Sequence, residues 1–252
     1  MNYLPVYNNI IDTLKIYKES IYSALFIGSN YKISKSKKCV ESDIDVLILL
    51  NNMDVYDQMV NSIKTKMLCC DIEVVNFWGV ISQNMFSKEI IHLLIDPIWH
   101  FEFKQPIFRK TLEQYPVIIG EKCDKYIPSN MSLIEFIDNA PLRMIKKIQS
   151  DDWDILDWVY ENNEWLLKAR KNTYSNNESN YKYACKHSVF NTISFLNYSL
   201  DRAEYPRVLN TWREIGGPKK EFVYKILYGK EPIGKEESID FIQHIIDWLI
   251  LK

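Results

Sequence analysis

Two aspartates one residue apart, Asp43 and Asp45, are the residues of this chain whose spacing most directly indicates chemistry. They stand at the start of an apolar run, residues 43–50, that predicts a β-strand, and side chains at i and i+2 of a strand point to the same face. Two carboxylates held this close repel each other unless a cation lies between them. Mg²⁺ takes one or two protein carboxylates and completes its shell with water and phosphate oxygens. The spacing therefore predicts a magnesium site.

A glycine–serine pair precedes this strand and predicts a phosphate-binding turn. Gly28 and Ser29 follow the apolar run 22–27, which is typical of a buried strand. The backbone N–H groups of a tight turn and the Ser29 hydroxyl can hold a triphosphate, because such turns form anion-binding nests. We expect Asn30, beside the turn, and Ser42, beside the first aspartate, to contact the same nucleotide.

A third carboxylate is expected on a later strand, since a two-metal site needs further shared ligands. Asp71 and Glu73 both lie in residues 69–77, which predict a third strand, and their spacing places them on one face. We prefer Glu73 because it stands between Ile72 and Val74, deeper in the apolar run, where an unpaired carboxylate is most costly. Asp71 remains the alternative third ligand.

The order of these features resembles the polymerase-β-like nucleotidyltransferases, whose pattern is Gly-Ser, a spacer, Asp-x-Asp and an acidic residue on a later strand. Within that superfamily the chain is most similar to the bacterial aminoglycoside adenylyltransferases of the streptomycin/spectinomycin type. A similar overall length and a C-terminal half with helical spacing support this likeness, as do three segments: SDIDVLILL (42–50), IEVVNF (72–77) and LEQYPVIIGEKCDKYIP (112–128).

The resemblance implies an enzyme that transfers AMP from ATP to a hydroxyl of a small molecule, an aminoglycoside being one candidate. It implies Mg²⁺ bound by Asp43, Asp45 and Glu73 in a two-metal mechanism, with Glu73 as general base. One departure concerns the acceptor. In the drug-modifying enzymes, acidic residues of the helical domain meet the cationic drug, whereas residues 181–187 of this chain are basic and aromatic.

The flanking residues predict the elements that position this site. Helical spacing predicts helices over 6–19 and 55–66 around the three strands, and further apolar runs follow at 90–95 and 116–119. From residue 132 onward helical spacing predominates, including over 153–171. We therefore predict an α+β fold. A nucleotidyltransferase-type mixed sheet with flanking helices occupies residues 1–130, and an all-α helical bundle that binds the acceptor occupies 131–252.

Composition narrows the functional classes. The formal net charge of −2 provides no basic field for nucleic acid, and no apolar run approaches the ~18 residues of a membrane helix. The N-terminus lacks the apolar stretch of a signal peptide. Five scattered cysteines without a CxxC pair indicate reduced thiols and a cytoplasmic protein.

Two segments of the second half leave the acceptor open. The acidic and aromatic residues 150–164 predict a helix that either receives a cationic acceptor or is simply solvated. Lys182, Lys186 and His187 either contact phosphates across a cleft or form a solvated helix face. Two alternative functions also stay open: a protein-adenylylating enzyme like the antitoxins of this superfamily, and a non-catalytic nucleotide-binding regulatory module.

Overall fold

The computed structural model describes residues 4–28, 43–77, 90–99, 115–122, 131–171, 177–198 and 205–252. Its N-terminal half contains a five-stranded mixed sheet in the order β3-β4-β2-β1-β5, and the α+β prediction is confirmed at this level. The elements are α1 (Leu4–Ile16), β1 (Ile21–Ile27), β2 (Ile44–Leu50), α2 (Tyr56–Leu68), β3 (Glu73–Phe77), β4 (Ile90–Pro97) and β5 (Val117–Gly120).

Strand β2 lies at the centre of the sheet and determines which side chains share a face. It runs antiparallel to β1 and parallel to β4, and β3 runs parallel to β4 on the outer side. Val46, Ile48 and Leu50 pack into one core with the apolar sides of α1 and α2. Because strand side chains alternate, the residues at odd positions, including Asp45, point to the opposite face of the sheet.

The C-terminal half has a second core built around one central helix. Its helices are α3 (Leu133–Asn139), α4 (Pro141–Ser150), α5 (Asn177–Phe195), α6 (Tyr205–Glu214), α7 (Lys220–Tyr228) and α8 (Lys235–Leu251). A capping box between Ser132 and Glu135 starts α3. Along α5 nearly every residue from Ser179 to Ser194 is buried, because the helix is surrounded by α4, α6, α7 and α8. No helix in the described ranges is both long and apolar enough to cross a membrane.

The prediction of an all-α second half was wrong, because a β-hairpin stands where a helix was expected over 153–171. Strands β6 (Ile155–Glu161) and β7 (Glu164–Arg170) pair antiparallel across a two-residue turn. Asn162 and Asn163 both have positive φ, 52° and 65°. Two successive residues of positive φ form the turn that matches the twist of a hairpin, and asparagine tolerates this conformation better than most residues.

The hairpin packs against the N-terminal core although it follows the predicted domain boundary at residue 130. Trp158 is buried in that core, and Trp165 and Leu167 pack against it. The Trp158 Nε1–H group donates to the Ile95 carbonyl at 3.1 Å. Within the described residues the pairing of β3 with β4 extends to Phe77 and Leu94, and Ile95 is the next residue along β4. One segment of the range 131–252 therefore packs against the first sheet.

Candidate metal centre

The candidate site lies on two neighbouring strands, on the face of the sheet away from α1 and α2. Asp43 immediately precedes β2, Asp45 is its second residue, and Asp45 is paired with His92 of β4. The His92 side chain is fully buried, whereas Asp43 and Asp45 keep 24% and 18% of their side-chain surface exposed. The cluster thus has a buried base and an open side formed by carboxylates.

The three side chains converge closely enough to bind one ion. His92 Nδ1 lies 3.1 Å from Asp45 Oδ1 and 3.3 Å from Asp43 Oδ2, and one ligand atom from each residue lies within 4.8 Å of the others. Ligand atoms at right angles around an octahedral ion, each about 2.1 Å from it, lie about 3.0 Å apart. The donor spacing therefore fits a shared divalent cation. This Asp–Asp–His group is a site that can hold a metal ion.

Gly28 is required by the position of the Asp45 carboxylate. It ends β1 with φ of +77°, and a Cβ built on it would lie 2.4 Å from Asp45 Oδ2. Residue 28 must therefore lack a side chain for Asp45 to keep its present position. The predicted nucleotide contacts Ser29, Asn30 and Ser42 lie outside the described residues.

The charge of His92 is coupled to the two carboxylates. Burial on its own lowers the pKa of His92, but hydrogen bonds and charge interactions with Asp43 and Asp45 outweigh burial and raise this pKa to about 9. At neutral pH and without a metal, the imidazolium is a cation that reduces repulsion between the carboxylates. A metal ion held by this group would take over that role.

Glu73 does not join this group in the part of the chain that the structure describes. It is the exposed first residue of β3, and β4 separates β3 from β2. Two strand spacings, roughly 9–10 Å, therefore separate its backbone from that of β2. The alternative, Asp71, is also exposed and occupies the turn before β3 with φ of 54°. Both candidates for the third carboxylate lie beyond the intervening strand.

His92 takes the third position, and the sequence interpretation missed it. The residue interrupts an apolar run, IIHLLID, at a point where the neighbouring residues Ile91 and Leu93 belong to the core. A single imidazole within a buried strand is a sequence feature that could have indicated it. Its partnership with the aspartates depends on the order of the strands, which the spacing of residues along the chain does not contain.

The two segments proposed to meet the acceptor have other partners in the structure. Asp157, expected on an acidic helix, accepts hydrogen bonds from Tyr56 Oη at 2.6 Å and from Asn76 Nδ2. Lys186 Nζ donates to Tyr205 Oη at 3.0 Å, and Lys182 Nζ donates to the Gly229 carbonyl. These contacts place Asp157 against the α2 side of the sheet and both lysines within the C-terminal helical core.

Comparisons with known proteins do not assign a function, so the function is inferred from the geometry of this site. No protein-family model matches the chain, and no curated protein or solved structure matches it either.

Proposed function

We propose that this protein is a metal-dependent nucleotidyltransferase that transfers AMP from ATP to a hydroxyl group of a small molecule. The observation that carries the proposal is the convergence of Asp43, Asp45 and His92 on adjacent strands. Gly28 adds support, because it begins the turn predicted to hold phosphates and a Cβ at this position would lie 2.4 Å from Asp45 Oδ2. An ion held by the aspartates at this turn lies where a triphosphate would meet both the turn and the metal.

The chain's own residues divide the work of this reaction. Asp43 and Asp45 would hold the metal, the turn at Gly28 would orient the phosphates, and His92 would complete the group on its buried side. When bound, a divalent cation offsets the negative charge that develops on the phosphates during transfer. A bond forms between the acceptor oxygen and the α-phosphorus, the bond from that phosphorus to the α–β bridging oxygen breaks, and pyrophosphate leaves. The hydroxyl proton passes to a carboxylate, for which we retain Glu73 as the candidate.

The acceptor class follows from the resemblance, with an aminoglycoside as its first candidate. The acidic residues 150–164 would favour a polycationic acceptor. One of them, Asp157, accepts hydrogen bonds from Tyr56 and Asn76 instead. The acceptor panel should therefore include neutral and anionic hydroxylated molecules beside aminoglycosides.

A transfer assay tests the proposal. The protein is incubated with each nucleoside triphosphate, a divalent cation and the acceptor panel, and pyrophosphate release and the mass of the modified acceptor are measured. Asp43→Asn should lower transfer by at least about a thousandfold, because loss of metal assistance removes several kcal/mol of transition-state stabilisation. The matched control is Asp54→Asn, an exposed aspartate after β2, which should keep the wild-type rate. Wild-type turnover in Asp43→Asn would contradict the proposal.

Glu73→Gln tests the base separately. Transfer should fall while metal and nucleotide binding persist, because Asp43, Asp45 and His92 are unchanged. Asp71→Asn tests the alternative carboxylate in the same way, and Glu214→Gln, at the exposed end of α6, is the matched control. Normal turnover in Glu73→Gln would remove this residue from the mechanism and leave the metal site intact.

One observation favours a second candidate function, a non-catalytic nucleotide-binding module. His92 lies within hydrogen-bonding distance of both carboxylates and, when protonated, neutralises part of their charge without any metal. In such a module the protonated His92 permanently takes the place of the divalent metal ion. Nucleotide binding that is equally tight with a chelator and with a divalent cation would support the module, and binding that requires the cation would support the transferase.

A further inference from the structure

We infer that this site selects a divalent transition-metal ion, of which Mn²⁺ is the probe, over Mg²⁺, with His92 Nδ1 as its third protein ligand. The inference rests on the proposed function in one respect, namely that the selected ion is the one that assists transfer. Its foundation is the donor set, two carboxylates and one imidazole, on neighbouring strands.

The strand order puts an imidazole where a carboxylate was expected. Strand β4 is the direct neighbour of β2, so the residue paired with Asp45 is the one best placed to share its ion, and that residue is His92. On the far side of β4, the residue paired with His92 is Val75, which offers no ligand atom. Among the described residues with metal-binding side chains, the third donor to this cluster is therefore nitrogen.

Nitrogen in the third position changes which ions fit. Mg²⁺ is a hard ion that takes oxygen ligands and releases its water reluctantly. Imidazole suits first-row transition metals, and their affinity for nitrogen donors exceeds that of Mg²⁺. Carboxylates suit Mn²⁺ as well as Mg²⁺, so a mixed set of two carboxylates and one imidazole favours Mn²⁺ and its neighbours in the series.

The imidazole is held in place to act as a ligand. His92 is fully buried within a strand paired on both sides, so its ring has little freedom to turn away. Its Nδ1 already lies 3.1 Å and 3.3 Å from carboxylate oxygens of Asp45 and Asp43. Binding the ion at this nitrogen requires no large movement of the backbone.

The charge of the group also differs from that of a three-carboxylate site. Two carboxylates and a neutral imidazole carry a formal charge of −2, which one divalent cation balances. A second cation would have to bring its own anions, and the triphosphate of a nucleotide provides them. We therefore expect one ion to bind the free protein, and any second ion to bind only with nucleotide.

Metal binding to the intact chain, without nucleotide, tests the inference. Protein stripped with a chelator is titrated with Mn²⁺ alone and with Mg²⁺ alone, and the dissociation constants are measured by calorimetry. Mn²⁺ should bind at least about tenfold more tightly than Mg²⁺, with one ion per chain. Pulsed EPR of the bound Mn²⁺ should show coupling to a directly bound ¹⁴N nucleus. Equal affinities, or bound Mn²⁺ without nitrogen coupling, would overturn the inference.

Variants assign the nitrogen to His92. His92→Gln should abolish the ¹⁴N coupling and weaken Mn²⁺ binding by at least about tenfold, whereas His244→Gln, on the exposed side of α8, should change neither. His92→Asp should reduce the preference for Mn²⁺ over Mg²⁺, because it restores an all-oxygen set. The ¹⁴N coupling is measured on the wild-type protein, so the inference stays testable even if a substitution prevents folding. Nitrogen coupling that persists in folded His92→Gln would also overturn the assignment.

The outcomes also separate this inference from the proposed function. Selective Mn²⁺ binding with nitrogen coupling, but no transfer to any acceptor, would refute the transferase and leave the metal assignment standing. Efficient transfer with Mg²⁺ alone, without nitrogen coupling to bound Mn²⁺, would support the transferase and refute the metal assignment.

Discussion

Two clusters of polar side chains lie on opposite faces of the same sheet, and they differ in how many donors surround each carboxylate. The site cluster consists of Asp43, Asp45 and His92, on the face away from α2. The docking cluster lies on the α2 face, where the hairpin meets the sheet, and it consists of Tyr56, Lys64, Asn76, Asp157 and Arg170.

In the docking cluster one carboxylate is matched by several donors. Asp157 accepts from Tyr56 and Asn76, and its other oxygen lies 3.5 Å from Arg170 Nε. Lys64 Nζ donates to Asn76 Oδ1 at 2.6 Å. Burial and then the Asp157 carboxylate raise the pKa of Tyr56, so the phenol remains a protonated donor. Such a cluster satisfies its own members and favours a single arrangement of the hairpin.

In the site cluster two carboxylates share one imidazole, and both reach the surface. This arrangement lowers its energy further when a divalent cation binds, because the cation offsets the repulsion between the two carboxylates. The difference teaches that buried charge alone does not mark a functional site. A cluster whose carboxylate already has several donors and a cation around it stabilises the fold, whereas two neighbouring carboxylates that share an imidazole and reach the surface are suited to bind an ion.

Among variants that leave every polar side chain of both clusters in place, the largest expected effect comes from adding one methyl group beside the site cluster. Gly28→Ala places a Cβ against Asp45 Oδ2, so the carboxylate must move, and a shift of about 1 Å can cost about a hundredfold in rate. Mn²⁺ affinity should fall with it. Gly216→Ala is the matched control, because its φ of +75° imposes similar backbone strain while no atom lies within 4 Å of the new Cβ. Equal losses of metal affinity in both variants would show that strain alone is responsible.

The second prediction concerns the pH dependence of the metal-free protein. The pKa of His92 is raised to about 9 from an ordinary value of 6.5, so its stabilising contribution is fully present below pH 6.5. That contribution is lost as pH rises from 6.5 through 9, by roughly 3 kcal/mol in the free energy of unfolding. Urea unfolding in a chelator should show this decline. It should disappear in His92→Gln and persist in His244→Gln; an unchanged slope in His92→Gln would mean that other groups cause it.

The third prediction addresses the docking cluster. Asp157→Ala leaves Tyr56 and Asn76 without their shared acceptor and should cost about 2 kcal/mol in unfolding free energy. Transfer per folded molecule should stay at the wild-type level, because the hairpin packs on the other side of the sheet. Glu164→Ala, at the exposed end of the same hairpin, should change stability by less than about 0.5 kcal/mol. A loss of metal affinity in folded Asp157→Ala would show that the two clusters are coupled.

Local features of the fold followed from the sequence. The apolar run after Asp43 forms β2, the turn residue Gly28 touches Asp45, and the spacing of residues 55–66 marks α2 to within a few residues. Each of these features depends on residues that are close together in the sequence. Hydrophobic periodicity and turn residues indicate such features directly.

The features that the sequence interpretation missed depend on contacts between distant segments. The alternation of side chains along each strand does not show which strands are neighbours in the sheet. Strand β4 lies between β2 and β3, and this position makes His92 rather than Glu73 the third member of the site cluster. The hairpin was missed for a different reason. Leu156, Val159 and Tyr160 fit helical spacing, whereas Asn162 and Asn163 form a hairpin turn in the structure.

The smallest expected effect, about 1 kcal/mol, is that of a single hydrogen bond where the hairpin meets the sheet. Trp158→Phe keeps an aromatic ring in the N-terminal core but removes the donor to the Ile95 carbonyl. A buried carbonyl that loses its partner costs about 1 kcal/mol, and the smaller ring adds a packing loss of similar size. Leu167→Val, a packing change on the paired residue of β7, separates the two contributions because it removes no donor. Thermal unfolding of both variants measures the difference. If Trp158→Phe is no less stable than Leu167→Val, the hydrogen bond contributes nothing measurable, and apolar packing alone holds the hairpin at this end of the sheet.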